Sequence, residues 1–83
     1  MKSIKIINME FKDRLRELRT DRGILQKDLA KYLNVSNTTV SEWERGNNQP
    51  DIKTLIAIAK YFNTSVDYLI GYETEDGNKN TDN

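Results

Sequence analysis

Eighty-three residues without a cysteine or a histidine exclude a disulfide framework, the usual zinc sites, the Ser-His and Cys-His nucleophile pairs, and an ordinary side chain titrating near pH 7. So short a chain buries only about 60% of the surface it exposes when unfolded, enough for one modest core, and no apolar run approaches the roughly 20 residues that span a bilayer. Thirteen Lys and Arg balance thirteen Asp and Glu, for a net charge of zero and a pI near 6.2, a balance that taken whole argues against a nucleic-acid partner.

Residues 1–8 (MKSIKIIN) alternate briefly, as a short strand would, but no second strand is visible to pair with them. Lys5, Asn8 and Glu10 break the apolar stretch, which makes it a poor secretory signal. The expectation is an N-terminal extension to a domain over 9–72 of a soluble, cytoplasmic protein. From Glu10 the period is helical: Phe11, Leu15 and Leu18 stand at i, i+4 and i+7 among charged residues, and Gly23 stops the helix. Gln26–Leu33 reads as a second helix facing inward through Leu29, Ala30 and Leu33, followed by Asn34, which tolerates a positive φ. Ser36 can cap a third helix over Asn37–Arg45, with Val40 and Trp43 inward and Gly46 as its stop.

After the loop Asn47-Asn48-Gln49-Pro50, Asp51 can cap a fourth helix whose inward stripe is expected at Ile52, Leu55, Ile56, Ala59 and Phe62. Ser65 can cap a last short helix carrying Val66, Leu69 and Ile70. The fold class expected is therefore all-α, five short helices, with no internal repeat. Residues 73–83 (ETEDGNKNTDN) lack any aliphatic or aromatic side chain and read as an acidic disordered tail. The charge divides accordingly: residues 1–72 hold 12 basic and 9 acidic side chains, a net of +3, and the tail holds −3. Neutrality is an average over unlike parts. It permits a DNA partner but limits nonspecific attraction.

The informative stretch is QKDLAKYLNVSNTTVSEWER, Gln26 to Arg45. Two helices crossing at a large angle over a tight turn need a small residue at the crossing, a left-handed residue in the turn and apolar positions on both sides. Ala30, Asn34 and the set Leu29, Leu33, Val35, Val40 and Trp43 meet these needs together. On these residues the sequence resembles the Cro/repressor-type helix-turn-helix family of phage and bacterial regulators. The likeness covers about Glu10 to Gly71, with RLRELRTDRG, QKDLA, VSNTTVSEWERG, the loop proline and SVDYLIG.

The resemblance implies a compact five-helix domain binding operator DNA as a homodimer, its third helix (37–45) in the major groove. It implies that Gln26 contacts phosphate, where free N–H groups at a helix start favour an anion. It also implies an ion pair between Arg19 and Glu44 that places Arg19 near a phosphate, and dimerisation near the C-terminal helices, where Tyr68, Ile70 and Tyr72 are the candidate interface. Two departures stand out: Leu25 occupies the position where the family commonly has a capping Ser or Thr, and no Lys or Arg lies between Gly46 and Pro50 to enter a minor groove.

The chemistry of the third helix agrees independently. With Val40 and Trp43 inward, Asn37, Thr38, Ser41 and Glu42 offer short hydrogen-bonding groups on a rigid support, as base reading requires. Ser36, Thr39, Asn47, Asn48, Gln49 and Lys53 are further candidates for the phosphate backbone, which fixes register without reading sequence. Arg14, Arg16 and Arg22 read as a solvated face, and Trp43 as core rather than a stacking platform. The expected function is a sequence-specific regulator, foremost a repressor on a pseudo-palindromic operator. The alternative is an antitoxin-like or adaptor module that uses the same helices without specific DNA reading, and a regulatory protein partner is compatible with both. The chain is expected to be neither an enzyme nor a metal or cofactor protein, since its carboxylates are scattered and no phosphate-cradling glycine loop exists.

Overall fold

A computed structural model of the chain describes residues 10–72, so the expected N-terminal extension and acidic tail lie outside the described residues. Within them the chain is all-helical: α1 (Phe11–Asp21), α2 (Gln26–Leu33), α3 (Asn37–Arg45), α4 (Ile52–Tyr61) and α5 (Val66–Leu69). Three of the starts are set by the capping side chains expected of them. Ser36 Oγ accepts from the Thr39 N–H at 3.0 Å, Asp51 Oδ1 from Thr54 at 2.9 Å, and Ser65 Oγ from Tyr68 at 3.0 Å. The cap interaction with Thr54 also holds the Asp51 carboxyl below its ordinary value. Asn34 ends α2 at φ 60°, and Gly46 ends α3 at φ 79°. A Cβ on Gly46 would meet only the flexible Lys12 side chain, at 2.8 Å from Cδ. The left-handed backbone, more than space, asks for glycine there.

Leu25 starts α2 with the extended backbone of an N-cap but no acceptor of its own. Half of a reciprocal box survives, because Asp28 Oδ2 accepts from the Leu25 N–H at 3.1 Å. Leu25 is 54% exposed, so little packing is lost on replacing it. Leu25→Ser is expected to complete the box and raise stability by about 0.5–2 kcal/mol. A thermal melt checks this, and an unchanged or lower melting temperature would discard the capping argument.

The core gathers Phe11, Leu15 and Leu18 of α1, Leu29 and Ala30 of α2, Val40 and Trp43 of α3, Ile58 and Ala59 of α4, Phe62 and Leu69. α2 packs on α3 and on α4, α1 on α3 and α5, and α4 on α5. The structure corrects the stripe expected on α4. Ile58 and Phe62 are fully buried, Leu55 partly, while Ile52 is 75% and Ile56 44% exposed. Leu55, Ala59 and Phe62 thus face inward as expected, and Ile58 stands where Ile52 and Ile56 were expected, because the second turn is apolar almost all round.

Of the three arginines expected in solvent, Arg14 is placed otherwise, while Arg22 stays exposed but is bonded to the chain. Arg14 is buried, its guanidinium 3.9 Å from the centroid of the Tyr68 ring and 3.7 Å from Glu17. Arg22 lies over the Phe62 ring and donates to the Phe62 carbonyl at 2.6 Å, tying the end of α1 to the end of α4. Arg16 is exposed, as expected, 3.7 Å from Asp13.

Candidate nucleic-acid interface

The inner face of α3 anchors it and leaves the outer face rigid. Val40 and Trp43 are in the core, and Glu44, also buried, joins three elements. Arg19 of α1 donates from Nε to Glu44 Oε2 at 2.6 Å and from Nη2 to Oε1 at 2.9 Å, a bidentate fork. Its Nη1 donates to the Ile24 carbonyl at 2.9 Å, and Gln26 Nε2 of α2 donates to Glu44 Oε1 at 3.0 Å. The carboxylate holds the Arg19 guanidinium above its ordinary pKa, against the opposing pull of burial. The ion pair expected from the resemblance is therefore present, and it includes the Gln26 amide, which spacing gave no reason to expect.

Around this anchor the candidate residues fall into three groups. Asn37 and Thr38 are exposed in the first turn of α3. Ser36 and Thr39 are engaged locally, with their hydroxyl oxygens 2.8 Å apart in addition to the cap. Ser41 and Glu42 are half-buried and bonded to a residue not singled out from the sequence, Arg45. Its Nη1 donates to Ser41 Oγ and its Nη2 to Glu42 Oε2, each at 2.6 Å, and Asn47 Nδ2 donates to Glu42 Oε1 at 2.8 Å. The donors from Asn47 and then Arg45 hold the Glu42 carboxyl below its ordinary value, so it is ionised at neutral pH. The signal for Arg45 was its spacing, four residues after Ser41 and three after Glu42.

Asn48, Gln49 and Lys53 are exposed along the loop and the start of α4. Residues 10–72 carry 10 basic and 9 acidic side chains, a net of +1, and Lys2 and Lys5 bring residues 1–72 to +3. Of the candidate dimer residues, Ile70 and Tyr72 are about half exposed, while Tyr68 packs against the core beneath Arg14. Among the described residues no group of three or more Asp or Glu side chains could hold a metal ion, and no helix is long and apolar enough to cross a membrane.

A family model described as helix-turn-helix matches residues 15–69. The transcriptional activator BcrR of Enterococcus faecalis is 40% identical over 65 residues, which are 78% of this chain and 32% of that protein. The transcriptional regulator ImmR of Bacillus subtilis is 36% identical over 74 residues, 89% of this chain and 58% of that protein. The chain thus spans less than two thirds of either curated relative. The P22 c2 repressor, crystallised with a synthetic operator, superposes with a TM-score of 0.72 at 35% identity, covering 76% of this chain and 96% of that one.

Proposed function

The chain belongs to the helix-turn-helix family of DNA-binding transcriptional regulators, and from that premise we propose that it is a repressor binding a pseudo-palindromic operator as a homodimer. The observation that carries this reading is the outer face of α3: Asn37 and Thr38 stand exposed on a helix fixed from within by Trp43 and the Arg19–Glu44 pair. Asparagine can meet adenine with both donor and acceptor, and a threonine methyl can touch thymine. Each subunit enters one major groove, with half-site centres about 34 Å apart.

Asn48 and Lys53 track the phosphates from the loop and the start of α4. Gln26, Arg19, Ser36, Thr39 and Asn47, already bonded within the chain, meet phosphate with whatever hydrogen-bonding capacity these bonds leave. The half-exposed Ile70 and Tyr72 form the centre of the dimer contact, with Tyr68 as its inner support. Repression requires only occupancy of promoter DNA, and the P22 c2 repressor supports that sign. BcrR is an activator, so regulation in the opposite direction occurs among the relatives.

Selection of binding sites from random duplex DNA at two salt concentrations tests the proposal. A symmetric enriched site is expected. Asn37→Ala should relax preference at one base pair per half-site by about 1–3 kcal/mol. Lys53→Ala should weaken all sequences alike and reduce the salt slope by about 1. Recovery of no enriched site would instead support the protein-interaction module, which the lack of any Lys or Arg between Gly46 and Pro50 and the acidic composition of residues 73–83 favour.

A further inference from the structure

The C-terminal half of the α3 outer face carries a connected run of side chains, Ser41, Arg45, Glu42 and Asn47, rather than independent readers. One guanidinium spans two candidates, Ser41 and Glu42, and the loop residue Asn47 takes the second oxygen of Glu42. Arg45 is 55% exposed and Glu42 27%, so the network lies at the surface that would face a duplex. A lone carboxylate there would be repelled by phosphates. Paired with Arg45 its charge is locally cancelled, and its orientation is set by two donors from different elements.

What the network still offers defines its ligand. Two of the five Arg45 N–H groups, one on each Nη, are committed to protein acceptors, and each Glu42 oxygen has lone-pair capacity beyond the one bond it receives. A donor group and an acceptor group are therefore held side by side. In the major groove a G·C pair presents the complementary arrangement, with guanine N7 and O6 as acceptors and the cytosine N4 amino group as donor. An A·T pair also sets an acceptor beside a donor, adenine N7 and N6, but it gives a guanidinium one acceptor at that edge where guanine gives two.

We propose that Ser41, Glu42, Arg45 and Asn47 form one reading unit, in which Arg45 is the specificity-determining residue, and that this unit recognises one G·C pair in each half-site. Glu42 accepts from cytosine N4–H while Arg45 donates to guanine. Ser41 and Asn47 are positioning residues that act through Arg45 and Glu42. The inference rests on α3 reading DNA as proposed above.

The test uses the full chain and selection from random duplex DNA, with Glu42→Gln, Arg45→Gln, Arg45→Lys and Asn47→Ala beside the parent and Asn37→Ala. The parent site should hold one G·C position per half-site that Glu42→Gln and Arg45→Gln both reduce by about tenfold in preference. Arg45→Lys should not restore it, since a point charge cannot span Ser41 and Glu42. Asn47→Ala should weaken preference at that same position on top of any uniform loss from its phosphate contact, and Asn37→Ala should affect preference at a different one. Uniform weakening across all sequences, with the G·C preference kept, would make Arg45 a phosphate contact and overturn the unit. Sensitivity at a pair other than G·C overturns the assignment of the base. Absence of any enriched site for the parent overturns the reading of α3 together with this inference, an outcome distinct from the other two.

Discussion

Glu44→Ala is expected to destabilise the domain by about 3 kcal/mol, a large fraction of the roughly 5–15 kcal/mol that holds a small domain together. The Glu44 carboxylate accepts three hydrogen bonds, two from Arg19 on α1 and one from Gln26 on α2, while its side chain is only 4% exposed. Truncation leaves the Arg19 cation, 12% exposed, without its counterion, and strands the Gln26 donor. Breaking a buried pair from one side costs about 3–5 kcal/mol; the lower end applies because Arg19 keeps some water and its bond to the Ile24 carbonyl. For a domain of this size the melting temperature should fall by about 4–8 °C per kcal/mol.

Arg19→Met with Glu44→Met should recover more than half of that loss, because two apolar side chains remove the unpaired charge together with its partner. That double variant should fold yet bind DNA more weakly, since the pair and Gln26 no longer fix α3 against α1 and α2. A Glu44→Ala protein that melts with the parent would mean the pair behaves as a solvated one.

The fold was legible wherever the deciding interaction is local. Ser36, Asp51 and Ser65 cap within three residues of themselves, and Asn34 and Gly46 take left-handed backbones that their own chemistry permits. The face of α4 was not legible in the same way. Ile52, Leu55, Ile56, Ala57, Ile58 and Ala59 leave two overlapping stripes one residue apart. Only packing against α2 and α5 selects Ile58 over Ile52 and Ile56 beside the shared Leu55, Ala59 and Phe62. The burial of Arg14 escapes the sequence for a related reason. Its partner Tyr68 lies on a helix that the sequence does not place beside α1, and a long stem under an aromatic ring can bury a residue that composition assigns to solvent.

Within the candidate site the same division holds. The inward and outward faces of α3 follow from its period, and Arg19–Glu44 was accessible through the family resemblance. The bond between Gln26 and Glu44 joins residues from two helices and had no sequence signal. Arg45 did have one, in its i+3 and i+4 spacing from Glu42 and Ser41. Exposed residues one helical turn apart bond one another as readily as they bond a ligand, and that spacing alone does not say which.

Trp43→Ala is expected to cost about 3–5 kcal/mol and to leave a large unfolded fraction. The indole is 4% exposed in the cluster with Phe11, Leu15 and Val40, where it fastens α3 to α1. A ring so enclosed cannot stack on a base, so any loss of DNA binding in the variant should follow the loss of folded protein and nothing else. Two measurements separate packing from contact. Trp43 is the single tryptophan of the chain, so its emission reports one environment: it should shift red on unfolding and stay unchanged when DNA is added to the folded parent. Trp43→Phe keeps most of the buried ring area, so it should fold with a smaller penalty and bind DNA as the parent does below its melting temperature. Emission quenched by DNA, together with a folded Trp43→Phe that no longer binds, would place the indole at the duplex instead. The expected pattern makes the inner face of α3 a condition for its outer face: Asn37, Thr38 and the Arg45 network can hold a fixed register on DNA only while Trp43 and Glu44 hold the helix.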